Sequence, residues 1–575
     1  MWRCLLGLVA LAVMAACAAP PRPADMVFWG GAVHAMDAAR TVAEAVAIRD
    51  GVIIYVGARK GAALLVGPAT RIVDMAGGAL FPGFTDAHVH MSDGGAQLAM
   101  LSLGQATTPQ QVQALLAAYA KAHPMLDVIV GAGWELSIFP NAHPSKDLID
   151  AVVPDRPVVL YAADGHNAWV NSTALARAGI DKATPDPANG RIEREATTGA
   201  PTGVLREAAQ ALLAPLIPKP SLDEQVAYLR QGMAYENAYG YTAAIEASVP
   251  AGLIEEAYAA AAKAGVLSLR IALSLTPGEA LLDTAVRRET MAAAVAALAA
   301  RRQAIAAQGF AYLTAPAVKI FVDGVMENHT AALLAPYIGS MLGMAHRGDL
   351  MMPEAVLKDY VTALDAAGFQ VHFHAIGDRA VRVALDAVEQ ARMVNDGGAR
   401  RHHLSHLELI DPADLPRFAA LGAYANVQAL WAYADGYITD LTEPYLGPAR
   451  ARWLYPIGSL ERAGARLAMG SDWPVSSANP LAAIEVAVRR QDWRKDGDDA
   501  WHPEERASLD AMLAALTIGG ARLMGEEALR GTLEAGKAAD LTLLDRDPYK
   551  VRVEALSEIA ARMTVLAGKP VYERP

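Results

Sequence analysis

Short apolar runs alternate with amphipathic stretches through the middle of the chain. Eight runs have the length of strands and are predicted as strands, at 84–90, 242–247, 269–273, 317–322, 369–374, 402–407, 424–428 and 466–471. Between most of them, apolar residues recur at helical spacing, at 253–265, 286–308, 353–367, 379–394 and 479–490. Strands that alternate with helices are typical of a parallel sheet. Eight such units predict an α/β protein with a (β/α)₈ TIM barrel.

The two ends of the chain have a different pattern, made of short β-rich stretches. Near the start they lie at 27–33, 45–56 and 71–80, and the second is interrupted by Asp50-Gly51, a hairpin signal. Similar stretches at 531–544 and 563–572 lie near the other end. We therefore expect residues 25–79 and 526–575 to form one small β-sandwich domain, with the barrel at 80–525.

A large insertion is predicted after the first barrel strand. About 150 residues separate that strand from the second, which is too long for a simple connection. The insertion, at about 95–235, contains strand-like runs of its own at 127–131 and 157–161. We expect it to form a lid or a subdomain.

The first 24 residues have the pattern of a targeting segment. Arg3 precedes an apolar run at 5–14, which is too short for a transmembrane helix. Met14-Ala15-Ala16-Cys17 resembles a bacterial lipobox, and ordinary secretion is the alternative. The prediction is a signal peptide at 1–16, lipidation at Cys17 and an extended tether at 17–24. Such a protein would be lipid-anchored in the bacterial cell envelope, facing the periplasm, with no other membrane contact.

Composition excludes several classes of protein. Hydrophobic residues make up 53% of the chain and charged residues 19%, which excludes a disordered chain. A net charge of −12 argues against sequence-independent nucleic-acid binding. Two cysteines cannot form a disulfide framework or a Cys-rich zinc site, so the 14 histidines and the carboxylates are the better candidate ligands. The expected partner is a small-molecule substrate, and a homodimer is left open.

Four of the predicted strands end in a histidine or an aspartate. His88 and His90 end the first, and residues i and i+2 of a strand share one face. His374, His406 and Asp472 end three others. Each of these residues alone is compatible with a packed or surface position. Since active sites of this fold lie at the carboxyl ends of the strands, the set predicts a site for zinc or a related divalent metal.

Lys319 lies in the middle of an apolar strand. A lysine there is costly unless it is paired or chemically altered. One interpretation is a salt bridge to a carboxylate at the barrel mouth. The other is a lysine made anionic by CO₂ that bridges two metal ions.

Several motifs occur in a fixed order along the chain. They are Phe-Pro-Gly-Phe-x-Asp-x-His-x-His from Phe81, Val-Lys-x-Phe-x-Asp-Gly from Val318, His-Ala-Ile-Gly-Asp from His374, a strand-ending His406, Gly-Ser-Asp-Trp-Pro from Gly470, and Gly-x-Leu-x-x-Gly-Lys-x-Ala-Asp-Leu from Gly531. Together they resemble the amidohydrolase superfamily. More narrowly, the chain resembles amidohydrolase family 3, the YtcJ-like group related to N-substituted formamide deformylases, from about residue 27 to 572. Three motifs of the insertion match this narrower group: Gly131-Ala132-Gly133-Trp134, Asp164-Gly165-His166 and Asn171-Ser172-x-Ala-Leu.

The resemblance implies a role for each matched residue. His88 and His90 would hold one metal ion, His374 and His406 a second, and carboxylated Lys319 would bridge them; zinc is the expected metal. Asp472 would contact a metal ion and shuttle a proton from the activated water to the leaving nitrogen. Trp134 and His166 would line the substrate pocket, with plain core packing as the alternative. One position departs from the family pattern, because Ser405 stands where a glutamate often precedes the histidine.

Neighbouring residues have structural interpretations. We expect His372 and His402 to be buried structural histidines, Asp378 to cap a helix, and Asp323-Gly324 to form a turn. Asp86 is either structural or a support for His88. Trp431, Tyr433 and Trp473 follow strand ends and form either an apolar wall or core packing.

The sequence therefore predicts a metal-dependent hydrolase that cleaves a carbon–nitrogen amide-type bond, such as that of an N-acyl or N-formyl small molecule. Cleavage of an ester or lactone by the same activated water is one alternative. A lipoprotein that binds a small ligand on this fold without catalysis is the other, since fold alone does not determine function.

Overall fold

A computed structural model describes residues 22–574, except for 279–283, 341, 396, 398–399, 496 and 498. The predicted signal peptide and Cys17 lie outside the described residues. The strands, in chain order, are β1 (Met26–His34), β2 (Val42–Arg49), β3 (Val52–Gly57), β4 (Arg71–Asp74), β5 (Ala79–Pro82), β6 (Phe84–Val89), β7 (Leu101–Ser102), β8 (Ile129–Trp134), β9 (Val158–Ala162), β10 (Asn167–Val170), β11 (Gly190–Arg194), β12 (Pro201–Glu207), β13 (Tyr241–Val249), β14 (Arg270–Leu275), β15 (Leu313–Phe321), β16 (Gln370–Ala375), β17 (His403–His406), β18 (Tyr424–Val427), β19 (Arg466–Met469), β20 (Leu541–Leu544), β21 (Ala561–Leu566) and β22 (Lys569–Glu573).

Helices connect or flank these strands. They are α1 (Arg59–Ala63), α2 (Met91–Gln97), α3 (Pro109–Ala122), α4 (Lys146–Asp150), α5 (Ser172–Ala178), α6 (Leu222–Ala238), α7 (Leu253–Lys263), α8 (Met291–Ala307), α9 (Glu354–Ala366), α10 (Asp378–Val394), α11 (Leu415–Leu421), α12 (Glu443–Leu446), α13 (Pro448–Ala451), α14 (Ile457–Arg462), α15 (Pro480–Arg489), α16 (Leu509–Ala514) and α17 (Gly520–Met524). Within the described part of the chain, no helix combines the length and the apolar character needed to cross a bilayer.

The predicted TIM barrel is confirmed. Eight parallel strands follow the order β19-β18-β17-β16-β15-β14-β13-β6, and helices separate them along the chain. The first and last strands meet beyond their carboxyl ends, where the Asp472 N–H donates to the His88 carbonyl at 2.7 Å and the His90 N–H donates to the Trp473 carbonyl at 2.9 Å. The strands are buried on both faces because side chains fill the barrel inside and helices cover it outside.

Both ends of the chain contribute to one β domain, as predicted. Its strands form a single hydrogen-bonded sheet of order β22-β21-β20-β5-β1-β2-β3, with β4 paired to β1. The segment before β20 bonds back to β3, where the Gly536 N–H donates to the Ile53 carbonyl at 2.8 Å. The sheet therefore curls round and encloses its own apolar core, which includes Phe28, Leu541 and Val565.

The insertion, which lies between α2 and α6 along the chain, forms a separate sheet layer. Its six strands follow the order β11-β12-β10-β9-β8-β7, and it has two apolar clusters of its own. It contacts the loop after β18, where the Leu136 N–H donates to the Tyr437 hydroxyl at 3.1 Å. The insertion thereby lies beside the carboxyl ends of the barrel strands, where the candidate site is found.

Candidate metal centre and active site

The side chains predicted as metal ligands meet at the carboxyl ends of the barrel strands. Asp472 is central, since its Oδ1 lies 3.3 Å from His88 Nε2 and 3.4 Å from His90 Nε2. Its Oδ2 lies 3.7 Å from His406 Nδ1. Ligand atoms of His88, His406 and Asp472 lie within 4.8 Å of one another, close enough to share one metal ion.

Lys319 and His374 complete this cluster. Lys319 Nζ is 3.4 Å from His88 Nε2 and 4.7 Å from the centre of the Phe321 ring. No described carboxylate lies within 4 Å of this nitrogen, so the structure contains no salt bridge of the kind considered from the sequence. The His374 ring lies 4.5 Å from the His406 ring, and its Nε2 contacts the Gly324 carbonyl at 3.1 Å.

Burial sets the charge state of these groups. It lowers the pKa of His88, His374 and His406 well below the usual value, and it lowers the pKa of His90 to about 4 although Asp472 acts in the opposite direction. Neutral imidazole is the form that binds metal ions. Burial also raises the pKa of Asp472 and lowers the pKa of Lys319 to about 7.

Two buried ligand atoms in the cluster have no hydrogen-bond partner. They are Asp472 Oδ1 and His406 Nδ1, and leaving such atoms unpaired is costly. Both residues also have left-handed backbone, with φ of 56° at Asp472 and 78° at His406. Non-glycine residues rarely adopt this conformation, and it is concentrated at functional sites. The donor set and its unpaired atoms fit a divalent metal ion such as zinc.

A second layer of side chains contacts His88 at Nδ1, the ring nitrogen that faces away from Asp472. His88 Nδ1 lies 2.8 Å from His372 Nε2 and 2.9 Å from Ser405 Oγ. His372 Nδ1 in turn lies 2.9 Å from Ser274 Oγ. Because Nδ1 of His88 is engaged, its Nε2 is left to face Asp472. Ser405, the departure from the family pattern, thus supports a ligand.

We expect His372→Phe to weaken zinc binding by about 10- to 100-fold, because the support of His88 Nδ1 is lost. Competition with a chromophoric chelator measures the affinity. His123→Phe, at an exposed position of the insertion, is the matched control. Unchanged affinity in the His372 variant would show that Ser405 alone orients His88.

Two aspartates of the motifs organise backbone near the centre. Asp86 Oδ1 accepts from the N–H groups of His88 at 3.1 Å and Ser471 at 2.9 Å, which joins β6 to β19. Asp323 accepts from the N–H groups of Ala332, Ile376 and Gly377. Asp323-Gly324 is predicted from the sequence as a turn, and this role of Asp323 has no local signal because its donors come from distant segments.

The prediction that Asp378 caps a helix is wrong. Gly377 occupies the N-cap of α10, and Asp378 is the first helical residue. Its Oδ1 instead accepts from the Leu334 N–H at 2.8 Å and so fixes the loop after β15. His402 is a buried structural histidine, as expected, with Nε2 at 3.1 Å from Asp365 Oδ1.

The insertion contributes His166 to the site. The His166 ring lies 5.6 Å from the His374 ring, and its Nδ1 lies 2.6 Å from Glu207 Oε2. Burial disfavours the charged imidazole, but Glu207 outweighs it and raises the pKa of His166 to about 9. Glu207 has φ of 50° and also accepts from the Thr330 hydroxyl. No motif of the sequence pointed to Glu207.

The prediction that Trp134 lines the substrate pocket is wrong. Its side chain is fully buried in the core of the insertion, and its Nε1 donates to the Leu160 carbonyl at 2.9 Å. It packs edge-on against Phe139 and Trp169. Among the aromatic residues near the strand ends, Trp431 stacks on His406 at 5.6 Å, whereas Trp473 is buried against Tyr235.

The family model described as "Amidohydrolase family" matches residues 71–572. The chain belongs to the amidohydrolase family. Among its relatives, Protein LONG AFTER FAR-RED 3 of Arabidopsis thaliana is 30% identical over 96% of this chain and 92% of its own length, and its name states no reaction. The putative amidohydrolase YtcJ of Bacillus subtilis is 28% identical over 95% and 99%. The N-substituted formamide deformylase of Arthrobacter pascens is 27% identical over 96% and 98%.

A solved structure agrees with the amidohydrolase fold. An uncharacterized metal-dependent hydrolase from Pyrococcus horikoshii superimposes with a TM-score of 0.69 at 23% identity, and the match covers 92% of this chain and 99% of that one. The family and the geometry of the centre together support a metal-dependent hydrolase. The family predicted from the ordered motifs is confirmed.

Proposed function

We propose that the protein hydrolyses a carbon–nitrogen amide-type bond of an N-acyl or N-formyl small molecule. The observation that carries this proposal is the convergence of Asp472 with His88, His90 and His406, in which Asp472 Oδ1 has no hydrogen-bond donor. Membership in the amidohydrolase family, and the formamide deformylase among its relatives, support the choice of bond.

The residues of the centre would act as metal ligands, and Asp472 would also carry a proton. His88, His90, Lys319, His374, His406 and Asp472 would hold the metal ions, which we propose to be two zinc ions bridged by carboxylated Lys319. Bound metal ions of this kind lower the pKa of water and polarise a substrate carbonyl. Asp472 Oδ1 is positioned to accept a proton from the attacking water and to deliver it to the leaving nitrogen. His166, held by Glu207, contacts the substrate from the side of the insertion.

Hydrolysis assays on the zinc-loaded full chain test the proposal. The panel compares formamides and acetamides of small amines with the matched esters and with lactones. Release of amine with a kcat/KM above that for the matched esters supports the proposal. Turnover of esters or lactones alone would assign the centre to another bond, and binding without turnover of any compound would indicate a binding protein.

Lys319→Ala should lose the bridged metal ion, because carboxylated Lys319 would be the ligand that the two ions share. Metal content by plasma mass spectrometry should fall, and added short carboxylic acids should restore metal and activity if the native bridge is a carbamate. Lys263→Ala, on the exposed end of α7, is the control. Normal metal content and activity in the Lys319 variant would exclude the bridge.

We propose further that the protein is lipidated at Cys17 and anchored in the cell envelope on the periplasmic side. Cys17→Ser should abolish incorporation of radiolabelled palmitate in a bacterial host. Cys4→Ser should leave labelling unchanged, since Cys4 lies in the segment predicted to be removed. Label that persists in the Cys17 variant would exclude the lipobox.

A further inference from the structure

Five carboxylates lie at the mouth of the barrel without an ion-pair partner. They are Glu135, Asp164, Glu327, Glu408 and Asp435, named here the acidic crevice. None of them has a lysine, arginine or histidine nitrogen within 4 Å among the described residues, although ion pairs are frequent elsewhere in the chain. The nearby cations are engaged: His166 by Glu207, and Arg494 by Asp492.

The crevice is assembled where the insertion meets the barrel. Glu327, Glu408 and Asp435 follow the carboxyl ends of β15, β17 and β18, which share one mouth. Glu327 precedes Asn328, whose amide donates to Glu207, the partner of His166. The residue next to Glu327 is thus linked through Glu207 to His166, beside the metal centre.

Two further contacts place the remaining carboxylates. Asp164 accepts from the N–H of His166, at 2.9 Å, and from the Asn167 amide. Glu135 precedes Leu136, whose N–H donates to the Tyr437 hydroxyl, two residues beyond Asp435. Asp164 therefore lies beside His166, and Glu135 lies beside the loop that carries Asp435.

Glu408 provides an independent sign of a ligand. Its side chain is 3% exposed, and its Oε1 has no hydrogen-bond partner. Glu408 thus carries, just after the carboxyl end of β17, a buried acceptor atom that the protein itself does not satisfy.

The other crevice carboxylates also repel one another. Burial raises the pKa of Glu135 to about 7 and of Glu327 to about 8, and in both cases Asp164 and Asp435 add to the effect. Burial also raises the pKa of Asp435 to about 6, although Arg494 acts in the opposite direction. A positive charge placed among them would relieve this repulsion. The carboxylates are too widely spaced to chelate a metal ion together, because the described group of three or more ligand atoms within 4.8 Å is His88, His406 and Asp472. An organic cation spans larger distances.

We propose that the acidic crevice binds a cationic substituent of the substrate, so that the preferred substrates are N-acyl or N-formyl amines that carry a quaternary or protonated ammonium group. This inference rests on the proposed function, since it names the substrate class of the same centre. The amide group would lie at the metal centre and the positive charge beside Glu327, Glu408 and Asp435.

A matched pair of compounds tests the inference. N-formyl-2-(trimethylammonio)ethylamine and N-formyl-3,3-dimethylbutylamine have the same shape and differ by one charge. We expect the zinc-loaded enzyme to favour the cationic compound by about tenfold or more in kcat/KM, which corresponds to about 1.4 kcal/mol. Glu327→Gln combined with Asp435→Asn should remove most of this ratio. Glu554→Gln, at an exposed position outside the crevice, should keep it.

Binding to the Asp472→Asn variant, measured by calorimetry, separates the two proposals. Tighter binding of the cationic compound without turnover by the wild type supports the crevice and contradicts the hydrolysis proposed for such compounds. Equal turnover of both compounds, or a preference for the neutral one, overturns the crevice and leaves the hydrolase intact. The absence of binding and of turnover for the cationic compound also overturns the crevice.

Discussion

Asp472→Asn is expected to lower kcat/KM by roughly 10²- to 10⁴-fold, the usual contribution of a positioned general acid–base group. An amide keeps an oxygen at the position of Oδ1 but cannot accept a proton there. Most of the bound metal should remain, because His88, His90 and His406 are unchanged. The measurements are hydrolysis of the best amide of the panel and metal content of the same preparation.

The backbone conformation at residue 472 is compatible with asparagine, so this substitution should change the chemistry without disturbing the fold. Asp472 has φ of 56°, and asparagine tolerates left-handed backbone better than most residues. The variant should therefore fold and melt close to the wild type. Asp155→Asn, the same chemical change at an exposed position, is the control and should leave turnover unchanged. Turnover near the wild-type rate in the Asp472 variant would remove this residue from the proton path.

The double variant His88→Ala, His90→Ala is expected to lose nearly all bound transition metal. The wild-type chain, purified without chelator, should hold about two ions per chain if the centre is binuclear. His88 contacts Lys319, Asp472 and His372, so its loss removes one ligand and also a neighbour of two other candidate ligands, Lys319 and Asp472. Plasma mass spectrometry measures the metal content, with hydrolysis followed in parallel.

A matched control and the metal content of the wild type decide how the result of the double variant is interpreted. His123→Ala should keep the wild-type metal content, since His123 is exposed in the insertion. About one ion per wild-type chain would retain the hydrolase and make Lys319 a structural neighbour of His88. No metal in the wild type, even after incubation with zinc and bicarbonate, would contradict the metal centre and favour a binding protein.

The site combines ligands from distant parts of the chain with a support that is entirely buried. His88, His372 and Ser405 come from β6, β16 and β17 and form one hydrogen-bonded group. Such a group limits the orientation of His88 before any metal ion binds, which lowers the entropic cost of assembling the centre.

Local sequence patterns predicted much of the fold and most of the candidate metal ligands. Strand residues alternate with a period of two, so His88 and His90 were placed on one face from spacing alone, and β16 was found from its apolar run. The barrel then followed from the alternation of strands and helices, and its active-site end from the position of His374, His406 and Asp472 at strand ends.

Tertiary structure decided the relations between residues that are far apart along the chain. Trp134 matches a motif of the insertion, yet packing with Phe139 and Trp169 buries it away from the site. Asp323 and Glu207 acquired their roles from partners in other segments, which no local pattern encodes. Glu408 Oε1 likewise has no hydrogen-bond partner because no donor from another described segment lies beside it.

The barrel, the family and the candidate ligands could thus be predicted from the sequence, because strand periodicity and the order of motifs are local properties. Three features required the folded structure: the side chain that supports His88, the single curled sheet of the β domain, and the five carboxylates near the barrel mouth that form no ion pair among the described residues. Hydrogen bonds, burial and charge pairing depend on neighbours in three dimensions. In this chain those neighbours are tens to hundreds of residues apart in sequence, so no local pattern predicts them.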